Sequence, residues 1–278
     1  MPGVRARAAW LTGTREGIVG LILLLFVVAV GLVGPLVAPH PITAPIGAPG
    51  AGPSAAAPLG TDFLGRDVLS RVLHGGLPVF ELSVASMALT YLVGVAVGLS
   101  AGLSRSVLDA VLMRAVDLFL VFPPLLLLLV LMTGAGTGSG ILIIGIALVL
   151  FPGVARVVRT ATLEVATQPY LEAAIARGET RFALMRREIL PNISEPILAD
   201  FGIRFSGAII LAASVNFLGL GSHPPAANWG LMIAENRVII GTNPWAVLIP
   251  AALLALVTVS VNLLADAYIK GHRREGGR

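Results

Sequence analysis

Cysteine is absent from the 278 residues, which excludes disulfides and thiolate metal centres within them. Lysine occurs once, at Lys270. A phosphate-binding P-loop places a lysine directly before Ser or Thr, so the chain holds no standard ATP site of that kind. The four histidines, His40, His74, His223 and His272, are too scattered for metal-ligand spacing, and neither HExxH nor CxxC occurs. GAGTGSG at 134 to 140 is glycine-rich but lacks the strand-to-helix setting of a nucleotide loop. Charge is scarce as well: 12% of residues are charged, against about 25% in soluble domains.

What fills the chain is apolar. Hydrophobic residues make up 56%, and at about 20 residues per crossing there is room for roughly five to seven membrane spans. Apolar runs occur at Ile18–Val37, Val79–Leu103, Val111–Met132, Ile141–Val158, Ile197–Leu220 and Trp245–Tyr268, predicting six transmembrane helices. The first run exceeds the ~7–15 apolar residues of a signal-peptide core, and no clear small-x-small site follows before Pro39, so it is read as a retained span.

The formal charge is +4, and in a membrane chain its placement matters more than its sum. Alternation of six spans gathers Arg5, Arg7, Arg15, Arg105, Arg114, Arg156, Arg159, Arg177, Arg181, Arg186, Arg187, Arg204, Lys270, Arg273, Arg274 and Arg278 on one side. Only Arg66, Arg71 and Arg237 fall on the other. Positive loops stay inside, so both termini are expected to be cytoplasmic.

Two units follow. Residues 1–78 hold the first span and an outer connector, and residues 79–278 hold five spans with a cytoplasmic loop at 159–196. In the connector, APHPITAPIGAPGAGPSAAAP cannot build a packed core and is expected to be extended or loosely ordered. After it, Thr61 or Asp62 is expected to cap a short interfacial helix reaching about His74, with Arg66, Asp67 and Arg71 exposed. Gly94, Gly98 and Gly102 share one face of the second span and predict close helix packing, within the chain or at a subunit seam. Phe122-Pro123-Pro124 must interrupt the third span. Asp117 lies one turn from Arg114 and is expected to pair with it. Glu81, Arg204 and Asp266 sit near span ends; no chain of buried acids crosses the membrane, which weakens a proton-coupled transporter.

The cytoplasmic stretch Tyr170 to Asn192, YLEAAIARGETRFALMRREILPN, is polar but patterned. Leu171, Ala174 and Ile175, then Phe182, Leu184, Met185 and Ile189, recur near helical spacing; Gly178 separates two short helices and Pro191 is expected to stop the second. Three readings fit the residues alone: a lipid-facing amphipathic helix, a fold-back onto the span ends, and a docking surface for another protein.

Glu172-Ala173-Ala174, then Gly178, then Glu188-Ile189-Leu190-Pro191 resembles the EAA loop of binding-protein-dependent ABC importer permeases. Four further blocks extend the likeness in order: PLGTDFLGRDVLSR, LMRAVDLFLVFP, RVVRTATLEV and NFLGLGSHPPAANWG. Together they are similar to the C-type permeases of dipeptide, oligopeptide and nickel importers. The departures are Glu188, where the family has histidine or isoleucine, the acid Glu81, and the Pro/Ala-rich connector.

The resemblance implies an all-α, six-span membrane protein of the type I ABC importer permease fold. It implies a coupling helix of Leu171, Glu172, Ala173, Ala174, Ile175, Ala176 and Arg177, ended by Gly178, that inserts into a separate cytoplasmic ATPase. ATP and Mg would be used by that ATPase, with no cofactor, metal or catalytic residue in this chain. The other implied partners are a homologous B-type permease, an extracytoplasmic binding protein docking near Gly60–Gly75 and Gly221–Trp245, and membrane lipid; nucleic acid is not among them. Polar contacts to the ATPase would come from Glu172 and Arg177, and close approach from Ala173 and Ala174. Asp117, Ser214, Asn216 and Phe217 are the candidate pathway residues on the third and fifth spans. The alternatives are an ATP-independent secondary transporter or channel, and a membrane-anchored enzyme whose catalytic constellation is missing.

Overall fold

Thr14 opens the first helix: its hydroxyl accepts a hydrogen bond from the Gly17 amide at 3.1 Å, capping α1, Arg15–Val37. The computed structural model describes residues 13–104, 106–221 and 225–276, with the side chains of 272–276 outside that description. Arg5, Arg7, Arg105, His223 and Arg278 therefore lie outside the described residues, as do the side chains of His272, Arg273 and Arg274. Among the described residues there is no strand beyond isolated bridges, Pro45 with Arg66 and Thr61 with Asp67.

The remaining main helices are α2, Val68–Ser104; α3, Val107–Val121; α4, Pro124–Ala135; α5, Ser139–Val165; α6, Pro169–Ala176; α7, Ser194–Phe217; α8, Trp229–Asn236; and α9, Trp245–Gly276. Five helices, α1, α2, α5, α7 and α9, are long and apolar enough to cross a membrane. The pair α3 and α4 is bent by 88°, and counted as one broken span it brings the number to six. The bend falls where the sequence puts it. Phe122 is extended (ψ 132°) because it precedes proline, and Pro123 and Pro124 supply no amide to the ladder.

The helices pack through small residues. α2 and α5 run side by side in the same direction, with Gly94 against Val154, Gly98 against Ala155 and Val158, and Gly102 against Thr162. A Cβ on Gly98 would lie 2.6 Å from the Ala155 carbonyl oxygen, so the seam is within the chain. α1 meets α2 where Gly34 touches Leu73 and meets α9 where Gly20 touches Ser260 and Leu263. Lys270 pairs with Glu16 at 2.6 Å, so the start of α1 and the end of α9 share one end of the bundle.

Four expectations are corrected. No separate interfacial helix runs from Asp62 to His74: α2 begins at Val68 and continues for 37 residues through Pro78. Its length of about 55 Å exceeds the ~30 Å hydrocarbon core. Arg66, Asp67 and Arg71 are buried rather than exposed, because residues distant in sequence fold over them. The connector is not loose either. Ile46 N–H donates to the Gly65 carbonyl at 2.8 Å, Gly50 N–H to the Asp62 carbonyl at 2.9 Å, and Ala51 N–H to the Thr61 hydroxyl at 2.9 Å. Lastly, Asp117 pairs with Arg156 of α5 at 2.6 Å, where tertiary packing brings a second arginine within reach.

Candidate functional site

Two regions at opposite ends of the bundle carry the candidate residues. At the end shared by the start of α1 and the end of α9 lies the segment after α5. Pro169 sits in the first turn of α6, where its missing amide costs nothing, and Glu172 lies there too, favoured by the helix dipole. The helix ends at Gly178, φ +81°, with Gly178 N–H donating to the Ile175 carbonyl at 2.9 Å.

α6 is two-faced. Leu171 and Ala174 are buried in a cluster with Leu99, Val154, Val158, Ala161, Leu184, Ile189 and Ile193. Glu172, Ala173, Ile175, Ala176, Arg177 and Gly178 are exposed. Of the three readings open from sequence, the fold-back onto span ends describes the first face. Ala174 therefore faces this chain's own core and is removed from the set offering close approach outward. Arg177 reaches Glu179 at 2.8 Å, an exposed pair of small energetic weight.

Beyond Gly178, Thr180 caps a short turn, Arg181–Ala183, by accepting from the Ala183 amide at 3.3 Å. Phe182 is then 72% exposed and Ile175 54% exposed. Leu184–Ile189 forms a π-turn, closed by Leu190 N–H to the Met185 carbonyl. Pro191 thus does not stop the second helix at that point. The wider turn lets the chain carry a proline and continue through Leu190–Asn192, and α7 begins after Ile193, φ −102° and ψ 8°. Glu188 is half-buried, and its carbonyl accepts from the Asn192 side chain at 2.6 Å. Two exposed apolar residues form the knob of this segment: Ile175, on a helix whose other side is seated in the bundle core, and Phe182, in the turn that follows Gly178.

At the other end, α4, α7 and α8 border an open groove of about 340 Å³ lined by Leu125, Ala213, Ser214, Phe217, Leu218, Gly230 and Ile233. Ser214 and Phe217 are among its walls. Asn216 is not: it is 2% exposed, and its amide donates to the Ala212 carbonyl at 2.8 Å. Asp117, paired with Arg156, is not part of the groove either. The four pathway candidates are therefore not brought together.

α8 is held by a network that the sequence reading missed. Asp62 accepts from Arg66 Nε and Arg71 Nη1, each at 2.6 Å, while Glu235 of α8 lies 2.8 Å from Arg71 Nη1 and 3.3 Å from Arg66 Nη2. Arg71 also donates to the Ala226 carbonyl, and Trp229, fully buried, donates its indole N–H to the Val72 carbonyl at 2.8 Å. Asp67 caps α2 by accepting from the Ser70 amide at 3.0 Å. The signal was present: Glu235 is the one acid between Gly221 and Trp245. Its partners, Arg66 and Arg71, lie 169 and 164 residues upstream, which spacing does not reveal.

A family model described as binding-protein-dependent transport system inner membrane component matches residues 94–274. The di/tripeptide transport system permease protein DppC of Pseudomonas aeruginosa is 34% identical over 256 residues, covering 89% of this chain and 84% of its own. The glutathione transport system permease protein GsiD of Pectobacterium atrosepticum is 34% identical over 77% of this chain and 71% of its own. The dipeptide transport system permease protein DppC of Bacillus subtilis is 30% identical over 93% and 82%. Among solved structures, the methionine ABC transporter MetNI in inward-facing conformations matches with a TM-score of 0.60 at 20% identity, covering 72% of this chain and 95% of that one. A second crystal form gives 0.58 over 69% and 92%. These likenesses share the fold. With its apolar helices and a family match over most of its length, the chain belongs to the binding-protein-dependent transport system inner membrane component family and is a multi-pass inner-membrane protein.

Proposed function

We propose that this chain is the permease subunit of an ATP-driven importer for peptides or related small solutes. The carrying observation is α6 and the turn after it: one face of the helix is locked into the bundle through Leu171 and Ala174, while Ile175 on the helix and Phe182 in the turn are exposed. Burying one leucine side chain stabilises the seat by about 1.5–3 kcal/mol. Force applied to the projecting residues would therefore move the ends of α2 and α5 rather than bend a loop.

In this reading both termini and α6 face the cytoplasm, supported by the pairing of Lys270 with Glu16 and by the arginines around α6. The knob docks into a separate ATPase through Ile175, Phe182 and Ala173, with Glu172 and Arg177 as polar contacts. ATP and Mg are used there; this chain is non-catalytic. A homologous permease completes the pathway, with Ser214 and Phe217 on its wall, and a binding protein delivers solute at the opposite end. Differential contacts of the knob in the two nucleotide states would shift the bundle between its outward and inward forms.

The test is copurification of the ATPases with wild-type and Phe182→Ala permease, followed by ATP-dependent uptake in proteoliposomes. Loss of both in the variant, with membrane insertion intact, is expected. Uptake by the permease without any ATPase would instead favour an ATP-independent transporter or channel.

A further inference from the structure

Three arginines lie at the groove end: Arg66 just before α2, Arg71 in its first turns, and Arg237 after α8. The first two are buried and neutralised by Asp62 and Glu235. Arg237 is exposed, has no acidic partner among the described residues, and lies with its guanidinium 5.5 Å from the centre of the Phe217 ring. Phe217 is also a wall of the 340 Å³ groove. A free cation is thereby held at the rim of an apolar cleft by the aromatic side chain that lines it.

The rest of the groove offers little polarity. Ser214 donates its hydroxyl to the Ile210 carbonyl at 2.7 Å, and the other lining side chains are apolar. A guanidinium stacked on an aromatic face keeps its outward N–H donors for a planar anion, and a carboxylate matches that fork. The occupant that fits has one carboxylate and a compact apolar body, since ligand clefts begin near ~300 Å³.

We propose that Arg237 receives the free carboxylate of the transported solute, a short peptide with a hydrophobic side chain, and that Phe217, Leu218, Leu125 and Ile233 take up that side chain. This rests on the transport reading above. Arg237 sets which charge enters the groove, and the apolar walls set which side chain stays.

The test uses the complete importer reconstituted in vesicles, with Ser214→Cys as the sole thiol of this subunit, since the natural chain has none. Reaction rates are measured with a negatively charged and a positively charged methanethiosulfonate. Arg237→Gln should lower the anionic-to-cationic rate ratio on the order of fivefold, the effect of losing one charge within a Debye length, and Arg237→Lys should keep it. A hydrophobic dipeptide with a free carboxylate should slow labelling, its C-terminal amide should not, and Arg237→Gln should erase that protection. An unchanged ratio together with equal protection by the amide would overturn the assignment of Arg237. So would protection that depends on anionic lipid in the vesicle and not on peptide. A Ser214→Cys thiol that reacts with neither reagent in any nucleotide state would overturn the groove as part of the pathway. Absence of ATP-driven peptide uptake by the unmodified importer would overturn the transport reading beneath it.

Discussion

Arg71 shows how a residue of charged type can be among the most buried side chains of a membrane protein. Its guanidinium meets Asp62 and Glu235, and removing it would leave two buried carboxylates with Arg66 as their one remaining cation among the described residues. Breaking a buried pair in this way costs about 3–5 kcal/mol. Arg71→Met should therefore lower the thermal midpoint of the solubilised protein clearly, whereas Arg186→Met, at an exposed position, should leave it in place. Equal midpoints for the two variants would contradict a stabilising network. Gly98 makes a second case. A Cβ there overlaps the Ala155 carbonyl and the Val158 side chain, so Gly98→Val should separate α2 from α5 and reduce the yield of folded protein in the membrane; a normal yield would show that the seam can widen. At this scale the sequence displayed the glycine stripe directly. The charge network stayed hidden because Asp62 and Glu235 meet only after folding.

Between residues and the whole lie the elements. The six apolar runs predict the crossing helices, and the proline pair predicts the break between α3 and α4, because length and missing amides are local properties. The start of α2 is not local. The expected short helix from Asp62 and the span from Val79 are one element with its origin at Val68, since Trp229 and Glu235 cover its first turns and make an interfacial position unnecessary. Pro191 likewise reads as a stop, but a π-turn absorbs it, a choice that depends on seating Leu184 and Ile189 in the core. Within the candidate site, the exposed and buried faces of α6 were only partly legible: the periodicity marks Leu171 and Ala174 as apolar without saying which surface they meet. The hinge of this element is Gly178, whose φ of +81° disfavours a branched side chain although no atom lies within 4 Å of its Cβ position. Gly178→Val should therefore act through the backbone alone. We expect weaker ATPase copurification, by roughly fivefold for the 1–2 kcal/mol cost of a left-handed residue, with the thermal midpoint nearly unchanged. A large midpoint shift with intact copurification would contradict this role.

At the scale of the whole molecule, the two ends differ in kind. One end presents Ile175 on a seated helix and Phe182 in the turn after it, among exposed arginines, and the other presents a groove whose supporting α8 is fixed by Trp229 and the buried charges. α2 and α5 run in parallel between them, joined by the glycine stripe, so displacement at the knob is carried by paired rigid helices. The central claim is that this displacement drives transport. It is tested most directly by reconstituting the permease with its partner permease, ATPases and binding protein, and measuring ATP-dependent uptake of a labelled dipeptide for wild type and for Ile175→Ala/Phe182→Ala. Two truncated anchor residues of 1–3 kcal/mol each should cut uptake by at least about tenfold, with the same amount of folded permease in the vesicles. Undiminished uptake by the double variant would contradict the account.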